Sequence, residues 1–329
     1  MPMGSDIVMY LLEDSEIVDW LGWREDRRGW GANGALRMSA WRVLVPDGPD
    51  FPAQLRSIPD PPSSLWMRGT VQREDALAIA VVGSRRATPH GLALAERLAG
   101  DLAARGVTVV SGLARGIDSA AHRGALAAGG RTIAVLGSGV DRVYPPENRR
   151  LAAEIAARGA VLSQFAPGMP ALAHHFPIRN RVIAGLALGV VVVEAAEASG
   201  SLITAGHAAD LGREIMAMPG PAGAPSSRGA HHLIRDGAAL VEGWEDVVAL
   251  LPTLWRACVG RPAPAPSDET DAAADPLLAL IGPEPASIEE LIERSGVPAS
   301  HVAVRLLDLE LDGRVRQLPG KRFVRIPRG

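Results

Sequence analysis

The sequence predicts an α/β fold of the Rossmann type, with a mostly parallel sheet covered by helices on both faces, followed by a small C-terminal winged-helix domain. Short apolar runs alternate with alanine- and leucine-rich segments between residues 77 and 218, and this alternation is typical of parallel sheets. Glycine-rich turns follow several of the apolar runs. Three helical patterns and a basic hairpin pattern then close the chain.

The elements of the central block follow from hydrophobic periodicity. Buried strands are predicted at Leu77–Val82, Val107–Ser111, Thr132–Leu136, Ala160–Ser163, Gly189–Val193 and Glu214–Met218. Helices are predicted at Gly91–Arg105, Ile117–Ala128, Asn148–Arg158, Arg179–Ala187 and Ser201–Leu211. Because open parallel sheets bind ligands at the carboxyl ends of their strands, we expect the glycine-rich turns to form one binding edge.

The chain divides into four expected segments. Residues 1–49 show no clean period and receive no fold, whereas residues 50–255 form the Rossmann-like domain, which opens with an extended, proline-rich arm at residues 51–69. Residues 256–274 are Pro/Ala-rich and acidic, as in a flexible linker. Residues 275–329 then predict a winged helix, including a capping box from Ser287 to Glu290, a recognition helix at Ala299–Asp312 and a hairpin with a Pro-Gly turn.

Composition limits the classes of function. A hydrophobic content of 47% over 329 residues supports a packed core. The chain lacks an apolar run of about eighteen residues and begins with acidic residues, so we expect no membrane insertion and a cytoplasmic location. Cys258 is the only cysteine, which excludes intrachain disulfides. Because the net charge is −3, binding to a nucleic acid would need a local basic patch.

The first two turns carry candidate anion-binding groups. Gly83, Ser84 and Arg85 follow the first strand, without the lysine of a Walker A loop, so ATP binding is poorly supported. Arg115 lies in the second turn, just before a helix in which Asp118 is interpreted as a cap or first-turn charge. Ser119 and His122 beside Asp118 suggest a hydrolase only weakly, since no nucleophile elbow accompanies them.

The most informative stretch runs from Phe176 to Ala205, where a basic loop, a short helix, a buried strand and a Gly/Ser/Thr turn follow one another. The small polar residues open a helix, so backbone N–H groups face outward beside arginines and favour an anionic ligand. Its candidate binding residues are Arg179, Asn180, Arg181, Ser199, Gly200, Ser201 and Thr204. The paired histidines at 174–175 and 231–232 lack partners at ligand spacing, and we expect no metal and no cofactor.

Several motifs together resemble the DprA/Smf family of bacterial DNA-processing proteins. They are GSRRATPHG, VVSGLARGIDSAAHRGAL, TIAVLGSGVDRVYPPENRRL, FPIRNRVIAGLALGVVVVEA and SGSLITA, and the likeness spans about Phe51 to Leu251. The resemblance implies a dimeric protein without turnover that binds single-stranded DNA. It also implies that the protein loads RecA onto DNA coated by single-strand-binding protein during natural transformation. Members commonly carry an N-terminal helical domain. We expect this domain to be truncated or replaced in residues 1–49.

The resemblance also assigns roles to residues by motif position. It implies phosphate contacts for Ser84, Arg85, Arg179, Asn180 and Arg181, and a base contact for Phe176. The segment from His231 to Leu251 would supply a homodimer face. This segment carries more apolar residues than a terminal helix needs to cover a sheet edge, including Leu233, Ile234, Leu240 and Trp244.

Two other classes of function were weighed. A nucleotide-processing hydrolase on a related scaffold would carry a PGGxGTxxE motif, whereas this chain has Glu194-Ala195-Ala196-Glu197 followed by SGSLITA. A regulator that binds duplex DNA would use the winged helix, but the recognition helix has one arginine and several acids. Electrostatic repulsion opposes strong insertion of such a helix into a major groove, so a protein-binding or weak DNA role fits it better.

Overall fold

A computed structural model describes residues 41–260, 276–282, 285–311, 314–318 and 320–325. Most of the unassigned N-terminal segment and most of the expected linker therefore lie outside the described residues. So does Pro319 of the expected Pro-Gly turn. Among the residues that are described, no helix is both long and apolar enough to cross a membrane.

The described Rossmann-like domain is built on one nine-stranded sheet. Its strands are β1 (Arg42–Leu44), β2 (Leu65–Gly69), β3 (Ala78–Val82), β4 (Thr108–Ser111), β5 (Thr132–Val135), β6 (Ala160–Ser163), β7 (Gly189–Val192), β8 (Glu214–Ala217) and β9 (Ala239–Leu240). They lie in the order β1-β2-β6-β5-β4-β3-β7-β8-β9, and all neighbours from β6 to β9 are parallel. The six predicted strands are confirmed to within one residue at each end.

The proline-rich arm is more structured than the sequence predicted. It contains a short helix, α1 (Ala53–Arg56), and then β2, which pairs antiparallel with both β6 and β1. Leu65 and Met67 of β2 are buried, whereas Trp66 and Arg68 are only partly so, giving the two-residue period of a half-covered strand. The arm thus supplies the second strand from this end of the sheet, between the edge strand β1 and β6.

Helices cover both faces of the sheet, as predicted. They are α2 (Pro89–Ala103), α3 (Ile117–Ala127), α4 (Arg149–Arg158), α5 (His175–Leu186), α6 (Ser201–Asp210), α7 (Arg228–Arg235), α8 (Trp244–Leu250) and α9 (Thr253–Arg256). Alternate residues of β3 show the two layers: Ile79 and Val81 pack toward α2 and α3, while Ala80 and Val82 share a core with α5 and α6. Such strands are buried on both sides.

Helix α5 begins at His175, four residues before the predicted start at Arg179, so residues 175–178, predicted as loop, are helical. Pro177 lies in the first turn of α5, where the missing N–H costs no intrahelical hydrogen bond. The reversal of strand order between β3 and β7 places this helix beside the switch point of the sheet.

The C-terminal residues form the predicted winged helix. Its helices are α10 (Pro276–Leu280), α11 (Ile288–Ser295) and α12 (Ala299–Leu311), and its strands are β10 (Ala286–Ser287), β11 (Val315–Leu318) and β12 (Arg322–Arg325). The described strands form an antiparallel sheet in the order β10-β12-β11. The predicted capping box is present, since Ser287 Oγ accepts from Glu290 N (3.2 Å) and the Glu290 carboxylate accepts from Ser287 N (2.9 Å).

The expected recognition helix α12 faces the Rossmann-like domain. Val304 and Leu307 line a crevice of about 290 Å³ together with Ala103 and Trp255 of that domain. Arg73, just before β3, donates a hydrogen bond to the carbonyl oxygen of Asp308. This contact lies at the amino ends of the parallel strands, so the winged helix is docked at the edge opposite their carboxyl ends.

The start of the expected linker is packed. Cys258 and Val259 contact the core layer of α2 and α8, and Gly260 N donates to the carbonyl oxygen of Arg105 (2.8 Å). Leu254 joins the hydrophobic core of the winged helix. Residues 256–260 therefore belong to the folded domain, because Cys258 and Val259 cover core surface that would otherwise be exposed.

Candidate nucleic-acid interface

A cleft of about 620 Å³ opens at the carboxyl ends of β3 and β7. This position is the switch point of the sheet, where ligands of doubly wound folds bind. Three arginines, Arg85, Arg86 and Arg179, and one carboxylate, Asp118, line the cleft and give it a formal charge of +2. The whole chain has a net charge of −3, so the cleft concentrates positive charge on an otherwise acidic molecule.

The loop after β3 is held on two sides by backbone hydrogen bonds. Ser84 N donates to the carbonyl oxygen of Glu194 (2.7 Å), and the Ser84 carbonyl oxygen accepts from Ile117 N (3.2 Å). The buried Glu194 carboxylate accepts from the Thr88 hydroxyl (2.6 Å), which itself caps α2 by accepting from Gly91 N (3.1 Å). This framework fixes the backbone that presents Arg85 and Arg86 to the cleft.

Arg179 forms the floor of the cleft and is only 3% exposed. Its Nη1 donates to the carbonyl oxygen of Val135 (3.2 Å), while its Nε has no hydrogen-bond partner among the described residues. Burial lowers the pKa of Arg179 to about 10, although the Asp118 carboxylate opposes this shift. The guanidinium is therefore a desolvated cation, and its charge favours an anion in the cleft.

A glycine makes room for this arginine. A Cβ atom at Gly112, which directly follows β4, would lie 1.4 Å from Arg179 Nη1. Burial raises the pKa of the neighbouring Asp118 carboxyl, and the positive charge of Arg179 partly offsets this increase. Asp118 Oδ2 also accepts from Ala114 N (3.3 Å), in agreement with its predicted first-turn role.

Phe176 provides an aromatic surface beside the arginines. Its ring lies against Gly137, where a Cβ atom would come within 3.0 Å of the ring. The guanidinium carbon of Arg85 lies 4.9 Å from the ring centroid and that of Arg179 lies 5.9 Å away. A ring flanked by two guanidinium groups is suited to a nucleobase next to its phosphate.

The start of α6 closes the other side of the cleft. Asn180 Nδ2 donates to the Gly200 carbonyl oxygen (3.3 Å), which ties α5 to the turn before α6. The hydroxyl oxygens of Ser199 and Ser201 lie 2.7 Å apart, and Thr204 lines the cleft one turn further. The first backbone N–H groups of a helix are available to anions, so this terminus adds to the charge of the arginines.

Ten of the twelve predicted DNA-contact residues line the cleft: Gly83, Ser84, Arg85, Phe176, Arg179, Asn180, Ser199, Gly200, Ser201 and Thr204. Arg181 does not, because two residues along a helix correspond to a rotation of about 200°. It donates instead to the carbonyl oxygen of Pro59 in the arm. Arg115 lies outside the cleft and pairs with Glu147.

Comparison with known proteins agrees with this architecture. A family model described as DNA recombination-mediator protein A matches residues 42–252, and a DprA winged helix domain matches residues 261–321. The chain belongs to the DprA/Smf family. Protein Smf of Escherichia coli (strain K12) is 42% identical over 291 residues, which cover 87% of this chain and 78% of that protein.

Solved DprA structures share the fold. The X-ray structure of DprA from Streptococcus pneumoniae has a TM-score of 0.62 at 42% identity and covers 65% of this chain and 76% of that one. DprA from Helicobacter pylori has a TM-score of 0.57 at 28% identity, with coverages of 63% and 93%. The H. pylori structure is described as giving insight into a unique single-stranded DNA binding mode of that protein.

Three residues that shape the site were given no binding role in the sequence analysis. Asp118 was interpreted as a cap or first-turn charge, and it also lines the cleft beside Arg179. Glu194 ended an apolar run without an assigned role, and Gly112 was one of several turn glycines. A buried strand that ends directly in a carboxylate was a signal for Glu194, because such a group must find donors.

The hydrolase-like trio after Arg115 does not assemble. Ser119 Oγ donates to the Ala114 carbonyl oxygen (2.6 Å), whereas His122 Nδ1 lies 2.7 Å from Thr132 Oγ1 in the core. Burial lowers the pKa of His122 to about 3. These side chains are occupied by separate structural hydrogen bonds. Among the described residues, no group of three His, Cys, Asp or Glu side chains is arranged to hold a metal ion.

The four predicted dimer residues fall into different environments. Leu233 and Ile234 of α7 are half-buried against their own core. Trp244 packs on the α2 and α8 layer, with the Arg105 guanidinium carbon 3.5 Å from its ring centroid. Leu240 of the edge strand β9 is 51% exposed. Leu240 is thus the residue of this group that a second subunit could cover.

Proposed function

We propose that this chain binds single-stranded DNA in the cleft and acts as a recombination mediator that protects incoming DNA and loads RecA during natural transformation. The observation that carries the proposal is Arg179, a desolvated cation at the floor of a positively charged cleft. An enclosed guanidinium of this kind is suited to a phosphate. The single-stranded DNA binding described for H. pylori DprA supports the choice of ligand.

The geometry favours single strands over duplexes. Phe176 can stack on a base only if the base face is accessible, and in a duplex the bases are stacked on each other. Backbone N–H groups and arginines contact phosphates without reading sequence. Binding should therefore be nearly independent of base sequence.

Fluorescence anisotropy across a salt series tests the binding step. With about three phosphates neutralised by the three arginines of the cleft, we expect log affinity to fall against log salt with a slope near −2, at about −0.7 per phosphate. Arg179→Ala should weaken binding strongly. Arg181→Ala removes the same charge from the same helix outside the cleft, and it should have little effect. Equal affinity for single-stranded and duplex DNA, or equal effects of the two substitutions, would argue against this site.

The mediator step needs its own assay. We expect the protein to increase RecA ATPase activity on DNA coated by single-strand-binding protein, and Arg179→Ala to abolish that increase. A protein that binds single strands but never stimulates RecA would refute the mediator role alone.

A dimer would add to affinity by placing two clefts on one particle, because the second contact to a long strand is then intramolecular. The exposed Leu240 at a sheet edge, together with the family resemblance, supports a homodimer through the α7 and β9 surface.

The hydrolase alternative makes a different prediction: incubation with nucleoside 5′-monophosphates would release free base. We expect no such release, since Ser119 and His122 are occupied by hydrogen bonds within the core.

A further inference from the structure

An exposed aromatic ring continues the surface of Phe176 beyond the cleft. Tyr144, in the turn after β5, is 47% exposed. Its ring centroid lies 6.1 Å from that of Phe176, with the ring planes tilted by 48°. Tyr144 does not line the cleft itself. One face of a large aromatic side chain is thus left open to solvent next to a surface suited to a nucleobase.

An arginine with a competing carboxylate lies on the same side. Arg115 Nε donates to Glu147 Oε1, and the two side chains are 59% and 50% exposed. Arg115 follows Ala114, which lines the cleft, and Glu147 is three residues beyond Tyr144. The ion pair therefore flanks the open aromatic ring at the rim of the cleft.

We propose that Tyr144 and Arg115 form a second nucleotide subsite outside the cleft, in which the Tyr144 ring stacks on a base and Arg115 contacts its phosphate. In the free protein, Glu147 occupies Arg115 and lowers the affinity of this subsite. The inference rests on the proposed entry of single-stranded DNA into the cleft. It adds a base-stacking position and a phosphate contact that the cleft alone does not provide.

Electrostatics set the role of Glu147. An ion pair between exposed side chains is weak in water, so a phosphate can replace the carboxylate at Arg115. The displaced carboxylate would still repel the strand. Glu147→Gln removes the repulsion and frees Arg115, and it should tighten binding of a strand that spans both subsites roughly two- to fivefold. The slope against salt should steepen by about 0.7, the contribution of one phosphate on a single strand.

Stacking can be tested with 2-aminopurine, whose fluorescence is quenched when it stacks. Placed at successive positions of an oligo-dT strand, it should be quenched at two positions in the wild-type complex, one for each ring. Tyr144→Leu should restore fluorescence at one of these positions and weaken the spanning strand about tenfold. Tyr144→Phe should behave like the wild type, because the ring is retained.

The outcomes separate this inference from the proposed function. A wild-type protein that binds single strands through Arg179, but whose quenching and affinity are unchanged by Tyr144→Leu, would refute the second subsite and leave the cleft site intact. Unchanged affinity and salt slope in Glu147→Gln would refute the role of Arg115 and Glu147. If the wild type binds no single strands, both proposals fail. The substituted side chains, Tyr144 and Glu147, are about half exposed, so the variants should fold, and circular dichroism would confirm this.

Discussion

Gly112→Ala should disable the cleft by displacing Arg179 without removing any charge. The new Cβ atom would lie 1.4 Å from Nη1 and 2.4 Å from Cζ of the arginine, closer than atoms can approach. Gly112 does not have a positive φ angle, so the backbone accepts alanine and the guanidinium has to move. It would then lose its hydrogen bond to the Val135 carbonyl oxygen and its position under the cleft.

The size of the effect follows from one charged hydrogen bond. Such a bond contributes about 1.5–3 kcal/mol, so affinity for a short single strand should fall roughly 10- to 150-fold, and the salt slope should become shallower by about 0.7. Fluorescence anisotropy measures both quantities. Gly206→Ala is the matched control, because its Cβ would meet open space on the exposed side of α6. Wild-type affinity in a folded Gly112→Ala protein would refute the assignment of Arg179 to the phosphate.

Three further predictions test other parts of the structure. Because the pKa of His122 is about 3 in the folded state and about 6.5 when unfolded, the unfolded chain binds an extra proton between these values. Stability should therefore fall by about 2 kcal/mol from pH 7 to pH 5, a decrease that urea titrations should not find in His122→Leu. Deleting residues 261–329 should change short-strand affinity less than twofold in anisotropy, since α12 docks at the amino ends of the strands; a large loss would mean that the site lies elsewhere. Light scattering should show monomers for Leu240→Glu, whereas Val297→Glu, an exposed apolar residue of the winged helix, should remain dimeric.

The strands were predictable because their pattern is local. Val190–Val193 is an unbroken run of valines that is buried on both faces of the sheet. Such an apolar run is enough to locate a strand of this kind in the sequence. The start of α5 was not predictable in the same way. Pro177 and the preceding histidines resemble a loop, whereas the helix extends back to His175 and takes Pro177 into its first turn.

The structure separates Arg179 and Arg181, which the sequence analysis grouped at one ligand although both lay within the predicted helix. In a helix, they point to nearly opposite sides, so Arg179 enters the cleft and Arg181 contacts the arm. The contact between Gly112 and Arg179 joins residues 67 positions apart, and no local pattern indicates it.

Packing between domains was also beyond the sequence pattern. Acidic residues in α12 argued against a major-groove role, and the structure gives one of them, Asp308, a different place: it faces the Rossmann-like domain. In the sequence, a leucine at this interdomain surface, such as Leu307, cannot be distinguished from a leucine in the core of a domain. The partner of such a face is fixed only by tertiary structure.

Under the proposed function, the burial of Arg179 favours an anion that enters the cleft. A solvent-exposed arginine exchanges water for phosphate and gains little, whereas Arg179 has already lost its water. Asp118 limits the cost of that burial without neutralising the cleft, which retains a formal charge of +2. Because Gly112 and Val135 fix the guanidinium before the ligand arrives, little side-chain ordering remains to oppose binding. Under the proposed function, a positively charged floor prepared in this way lets a chain of net charge −3 bind a polyanion at one defined place.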